Sequence, residues 1–235
     1  MKGIILAAGL GTRLYPYTKD TPKPLLDVNN RPIIKNIIYK LVNNNIKEIG
    51  IVVKHLPEKI MNYLADGSKF GAKITYIKQE HGTRIIDALK CCKDFINKEE
   101  FVLVYGDIYF EDNLTNFIKK FASKDNIIIS IADTGKERNE AIVTIDNKNE
   151  LVTGMYVQSE TKISRYMDAG IMAFPPNLFK LLSIFRGDMP DFLNSLISKN
   201  EEINYYILNG FYSNINTIDD LNNVRINHKA SSFPD

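Results

Sequence analysis

The residues with the most chemical potential lie near the N-terminus. Residues 6–14 read Leu-Ala-Ala-Gly-Leu-Gly-Thr-Arg-Leu. Ala7, Ala8, Gly9 and Gly11 let a backbone loop pass close to a ligand, and successive free N–H groups in such a loop can cradle phosphate oxygens. No Gly-Lys-Ser/Thr comes after it, so this is not a Walker A loop. Leu14 stands where the third glycine of a dinucleotide fingerprint would be. A tight strand-to-helix turn without a ligand would use the same small residues, and the neighbouring residues decide between the two. Arg13 comes at once, then Tyr15-Pro16, then Thr21-Pro22-Lys23-Pro24-Leu25-Leu26. Two prolines fix the backbone on either side of Lys23 and remove two N–H donors, which aims a lysine rather than merely exposing one. Arg13, a planar fork, and Lys23, a point charge, would together neutralise a triphosphate.

These groups need a scaffold. Lys2 to Ala8 reads as a buried strand. Ile33, Ile34, Ile37, Ile38, Leu41 and Val42 recur at helical period. Glu48–Val53, Lys73–Ile77 and Phe101–Tyr105 read as further strands, separated by helical patterns around Met61–Leu64 and Ile85–Cys92, and Asn126–Ile131 is one more apolar run. This βαβα order predicts an α/β, Rossmann-like fold, a mixed, mainly parallel sheet with helices on both faces, in a single domain. In the less regular second half, Ala141–Ile145, Leu151–Val157, Ile171–Phe174 and Tyr205–Leu208 read as strands that extend the sheet. The catalytic domain is expected to span 1–228, with 229–235 as a frayed tail.

Composition bounds the function class. The 235 residues are 44% hydrophobic and 25% charged, with a net charge of +2, so the global basic field of nucleic-acid binders is missing. The apolar run Ile4–Ala8 is too short for a signal peptide or a membrane span, and cytoplasmic residence is the expectation. Cys91 and Cys92 are neighbours in a helical pattern and point in different directions, which disfavours a disulfide or a metal pair. Asp107 comes after a wholly apolar strand at the C-terminal edge of the expected parallel sheet, where α/β proteins bind ligands.

Residues 3–34, from Gly3 through Pro22-Lys23-Pro24 to Arg31-Pro32-Ile33-Ile34, closely resemble the signature of sugar-1-phosphate nucleotidyltransferases. The resemblance implies that Leu6, Ala7, Ala8, Gly9, Gly11 and Thr12 hold a nucleoside triphosphate, with Arg13 on the leaving pyrophosphate and Lys23 near the α-phosphate. It continues through Gln79 and Gly82-Thr83, which resemble the segment touching the base, and Gly106-Asp107, whose aspartate would bind Mg²⁺. Asp168-Ala169-Gly170-Ile171 is similar to the Asn-Ala-Gly-Ile of the sugar site. Gly210 to Thr217 resembles a Trp-x-Asp-Ile-Gly-Thr segment in which Asn214 takes the place of a second metal-binding aspartate. Two departures fall on the acceptor side. Residues 156–162 replace a Glu-Lys-Pro whose lysine meets the sugar phosphate, leaving Lys162 or Arg165 as substitutes, and Glu140-Ala141 replaces a Tyr-Gly.

The implied reaction is Mg²⁺-dependent transfer of a nucleoside monophosphate to a sugar 1-phosphate, with pyrophosphate released. Its partners are the triphosphate and the acceptor, without nucleic acid or membrane, and a homo-oligomer is compatible with these features. Two alternatives stand beside it: a cytidylyltransferase for phosphocholine or inositol phosphate, and a catalytically silent nucleotide- or sugar-sensing relative. A dinucleotide-dependent oxidoreductase is opposed by Leu14.

Overall fold

The computed structural model describes residues 1–227, except Asp125, Ser183 and the side chain of Lys180; the expected tail 229–235 and His228 lie outside the described residues. The strands are β1 (Lys2–Ala7), β2 (Asp27–Val28), β3 (Arg31–Pro32), β4 (Glu48–Val53), β5 (Lys73–Lys78), β6 (Phe101–Tyr105), β7 (Ile108–Phe110), β8 (Ile127–Arg138), β9 (Glu140–Asp146), β10 (Leu151–Gln158), β11 (Ser164–Phe174), β12 (Ile203–Ile207) and β13 (Tyr212–Asn214). The helices are α1 (Ile33–Asn43), α2 (Pro57–Leu64), α3 (Ile85–Cys91), α4 (Lys93–Ile96), α5 (Thr115–Lys124), α6 (Leu178–Leu182), α7 (Met189–Ile197) and α8 (Ile218–Asn227).

One nine-stranded sheet runs β5-β4-β1-β6-β11-β8-β12-β10-β9. Its first four strands are all parallel, in the register Ile5↔Ile51 and Ile5↔Val104. Beyond β6 the direction changes: β11 runs antiparallel to both β6 and β8, and β12 returns parallel to β8. The parallel character expected for the sheet therefore belongs mostly to the first half, where every connection is a helical crossover. The second half is built around β11 and the β9–β10 hairpin.

Side-chain alternation along the strands assigns the helices to two layers. Ile5, Val102 and Val104 point to one face and pack with Ile34, Ile37, Leu41, Phe117 and Leu221 from α1, α5 and α8. Ile4, Phe101 and Leu103 point to the other and pack with Leu89, Leu182, Phe192 and Leu193 from α3, α6 and α7. Because the central strands are covered on both sides, they are apolar at nearly every position rather than at every second one.

Several elements extend beyond the apolar patterns. β8 and β11 run on into polar residues, so Asp168 lies within a strand rather than before one. α5 and α8 bury only Phe117 and Phe121, and Leu221 and Val224, respectively. Glu111 and Asp112 anchor the segment after β7. Asp112 is buried and accepts hydrogen bonds from the Leu114 N–H, the Tyr206 hydroxyl and Asn209, while Glu111 accepts from the Phe211 N–H. The buried Lys40 ammonium donates to the carbonyls of both, and burial lowers its pKa to about 8. This knot ties α1 to the segment after β7.

Candidate functional site

The C-terminal ends of β1, β4 and β6 open onto a cavity of about 500 Å³. The loop after β1 forms its floor. Gly11 has φ +66°, and a Cβ there would lie 3.1 Å from the Thr18 methyl, so the left-handed turn and the crowding both call for glycine. The Thr18 hydroxyl donates to the Gly11 carbonyl at 2.7 Å and pins the turn. A Cβ on Gly9, in contrast, would meet nothing within 4 Å. Protein packing does not demand a glycine there; close approach of a ligand to the backbone would.

Gly106 joins β6 to this floor. Its N–H donates to the Leu6 carbonyl at 2.9 Å, and a Cβ would sit 2.4 Å from that same oxygen. The contact holds the next residue, Asp107, at the cavity edge, where its Oδ2 accepts from the Lys23 ammonium at 2.7 Å. Lys23 opens a 3₁₀ turn after the extended Pro22, and its side chain is almost wholly buried. It donates also to Asn216 Oδ1 at 3.1 Å, and Arg13 Nη2 donates to that oxygen at 3.0 Å. One carboxylate, two cations and one carboxamide oxygen thus converge from four separate stretches of chain.

The far wall belongs to Gln79, Thr83 and α3. Gln79 is 5% exposed, its N–H donates to the Val53 carbonyl, and its side-chain Nε2 has no hydrogen-bond partner among the described residues. An unpaired buried amide donor facing a cavity costs free energy that a ligand carbonyl would recover. Gly82 does not line the cavity but shapes its rim. It has φ +73°, its carbonyl accepts from the Lys54 ammonium at 2.8 Å, and a Cβ would collide with the Asp87 carboxylate that caps α3.

The residues singled out in the sequence therefore divide. Leu6, Ala7, Ala8, Gly9, Gly11, Thr12, Arg13, Lys23, Gln79, Thr83 and Asp107 line one cavity. Asp168 stands behind its wall: the hydroxyl of Tyr105, a cavity residue, donates to Asp168 Oδ2 at 3.1 Å, and the Gly170 N–H donates to Oδ1. Burial raises the Asp168 pKa to about 6 against the opposing effect of those two donors. Ala141 (φ +51°) and Lys162 are exposed, on β9 and in the β10–β11 connection, and neither lines the cavity. Arg165 is paired with Asp133 at 2.6 Å. Asn214 sits opposite Ile108 in the β13–β7 pair, and its buried Oδ1 has no donor among the described residues.

Sequence reasoning missed Asn216, Tyr105, Lys54 and Arg84 as cavity residues. Asn216 was findable, since it occupies the glycine position of the Trp-x-Asp-Ile-Gly-Thr segment. The other three carried no local signal. His55 is half-buried, and its Nε2 has no partner among the described residues. Cys91 and Cys92 are both free thiols. Among the described residues there is no cluster of three or more His, Cys, Asp or Glu able to hold a metal, and no helix is long and apolar enough to cross a membrane.

The strand ends of this Rossmann-like sheet thus carry a glycine loop, two converging cations and a carboxylate. The family model for nucleotidyl transferases matches residues 2–227, and the chain belongs to that family. It is similar to the low-salt glycan biosynthesis nucleotidyltransferase of Haloferax volcanii, at 28% identity over 94% of this chain and 64% of the relative. It is also similar to the bifunctional protein GlmU of Methanocaldococcus jannaschii, at 31% identity over 92% and 51%. The chain thus spans about half to two thirds of the length of these curated relatives. Among solved structures, a Bacillus anthracis protein assigned as a glucose-1-phosphate thymidylyltransferase and crystallised with sucrose superimposes with a TM-score of 0.89 at 26% identity, covering 100% of this chain and 98% of that one.

Proposed function

We propose that residues 1–228 form a catalytic domain that transfers a nucleoside monophosphate from a nucleoside triphosphate to a sugar 1-phosphate, releasing pyrophosphate. The observation that carries the reading is the convergence of Arg13, Lys23 and Asp107 beside a loop whose glycine at position 9 no packing requires. Family membership supports the reaction class.

In this reading the 6–12 loop presents backbone N–H groups to the phosphates, and Gln79 donates from its unpaired Nε2 to a carbonyl of the base, with Thr83 and Gly82 shaping that wall. An oxygen of the acceptor phosphate attacks the α-phosphorus in line. The new P–O bond forms as the bond from the α-phosphorus to the bridging oxygen breaks, and the electron pair leaves with pyrophosphate. The attacking oxygen is already anionic, so alignment and charge neutralisation carry the rate rather than a general base. Lys23 offsets charge at the α-phosphate and Arg13 at the leaving group.

The orphaned oxygen of Asn214 bears on Mg²⁺. A buried acceptor without a donor is what a hard cation needs, and Asp107 adds one carboxylate. Asp107 and Asn214 would hold such a cation, and the phosphate oxygens of an incoming triphosphate would supply further ligands. Bound there, Mg²⁺ would offset phosphate charge. On the acceptor side, Asp168 accepts a hydrogen bond from Tyr105, which lines the cavity, and would bear on the sugar through that ring. Ala141 and Lys162 would contribute only if their exposed segments fold over the acceptor.

The test is pyrophosphate release from a panel of nucleoside triphosphates against several sugar 1-phosphates, with and without Mg²⁺. Release that requires both acceptor and Mg²⁺ is expected for at least one pair. If no pair releases pyrophosphate while a triphosphate still binds, the silent nucleotide-binding alternative replaces this reading.

A further inference from the structure

We infer that Asn216 is a positioning residue of the anion site: its carboxamide oxygen holds the Arg13 guanidinium and the Lys23 ammonium convergent on one point, and cedes them to phosphate oxygens when the nucleotide binds. The inference rests on the reading that the cavity takes a triphosphate.

Arg13 Nη2 and Lys23 Nζ lie 3.0 and 3.1 Å from the same Oδ1, which places the two cationic nitrogens within about 6 Å of each other. They repel, and the local carboxylate, Asp107, pairs with Lys23. Among the described residues the Arg13 side chain has Asn216 as its acceptor. The carboxamide is itself aimed from below. The backbone N–H groups of Asn216 and Thr217 and the Thr217 hydroxyl all donate to Asp220 Oδ2, at 2.9, 2.8 and 2.9 Å. This collar at the start of α8 fixes the backbone that carries Oδ1.

A single oxygen receiving an arginine and a lysine is the arrangement one phosphate oxygen would demand of the same pair. The carboxamide oxygen supplies the geometry without the charge. Its bonds to the cations are charge-assisted on one side only, so a phosphate, charged on the other side as well, displaces it. A carboxylate at this position would compete with the substrate instead. A glycine, as the family signature carries, leaves the two cations to be ordered by the substrate alone.

The test compares the parent chain with Asn216→Gly and Asn216→Asp. Inorganic pyrophosphate binding is measured by calorimetry, and KM and kcat are measured for the triphosphate. Asn216→Gly should weaken pyrophosphate about tenfold, equivalent to roughly 1.4 kcal/mol, and Asn216→Asp by about a further tenfold. KM for the triphosphate should rise in the same order, while kcat at saturation in Asn216→Gly stays near the parent value, because bound phosphates then hold the cations themselves. A merely structural asparagine would lower kcat and melting temperature together without separating Gly from Asp. Asn216→Gly binding pyrophosphate as tightly as the parent, or both variants weakening equally, overturns the inference. A parent chain that binds neither pyrophosphate nor any triphosphate overturns the functional reading and this inference with it.

Discussion

Replacing Lys23 by alanine separates the catalytic role of the site from its structural one. The ammonium makes a 2.7 Å ion pair with Asp107 and a 3.1 Å hydrogen bond to Asn216. Its loss leaves Asp107 without that cation. A charged hydrogen bond contributes about 1.5–3 kcal/mol when buried, but the Asp107 side chain is 33% exposed and water can solvate it. The low end, about 1–1.5 kcal/mol, is the sensible expectation for stability, and at about 2–4 °C per kcal/mol for a chain of this size Tm should fall by roughly 2–6 °C. The effect on turnover should be larger. Removing one preorganised donor from a developing phosphate charge costs on the order of 3–4 kcal/mol of barrier, a rate loss of roughly 100- to 1000-fold. Both quantities can be measured on one preparation, by thermal melting and by pyrophosphate release at saturating substrates. The double variant Lys23→Ala/Asp107→Ala should recover part of the stability but none of the activity. Turnover within threefold of the parent would refute the catalytic assignment, and a Tm loss above about 10 °C with turnover falling only in step would make Lys23 a structural residue.

Two further outcomes rest on individual side chains. Gln79→Met should raise KM for the preferred triphosphate by about 10- to 100-fold, as expected for a lost base hydrogen bond of about 1.5–3 kcal/mol. Because Nε2 has no partner among the described residues, Tm should hold or rise, and a marked fall would show that the amide serves the fold. Asp168 should make stability pH-dependent. Its folded pKa of about 6 lies above the ordinary 3.8 because of burial, so between about pH 4 and 6 the folded chain holds a proton the unfolded chain has lost, and stability falls as pH rises through that window. Asp168→Asn removes an effect on the order of 3 kcal/mol at most, and should melt above the parent at pH 7 and level with it near pH 4; a Tm difference that stays flat across this range would contradict the assignment.

The parallel half of the fold was legible because its strands are buried on both faces and its helices carry dense apolar stripes, as in Ile33–Leu41. The second half was harder. β11 begins at Ser164 in polar residues, and its strand character comes from pairing with β8 rather than from any local alternation. α8 buries only Leu221 and Val224, too few to register as a periodic face. α7 was findable from its start, where Asp188 and Asp191 form a capping box with proline in the first turn. At the site, the loop, Arg13, Lys23 and Asp107 could be read from residue type and spacing. The role of Asn216 could not, because a hydrogen bond to Arg13 spans 203 positions and nothing in either local sequence specifies it.

That separation bears on how the site is assembled. Synthesis delivers chain at about 5–20 residues per second, so Asn216 emerges roughly 5 to 20 seconds after Asp107. At the start of that interval the parallel strands β5-β4-β1-β6 have all been made, while β11, which covers the open side of β6, and β13, which pairs with β7, have yet to come. A nascent chain would hold the glycine loop and its two cations without the carboxamide that gathers them. Ligand binding competence should therefore emerge late and abruptly, with the arrival of residues 164–216, rather than growing in proportion to chain length.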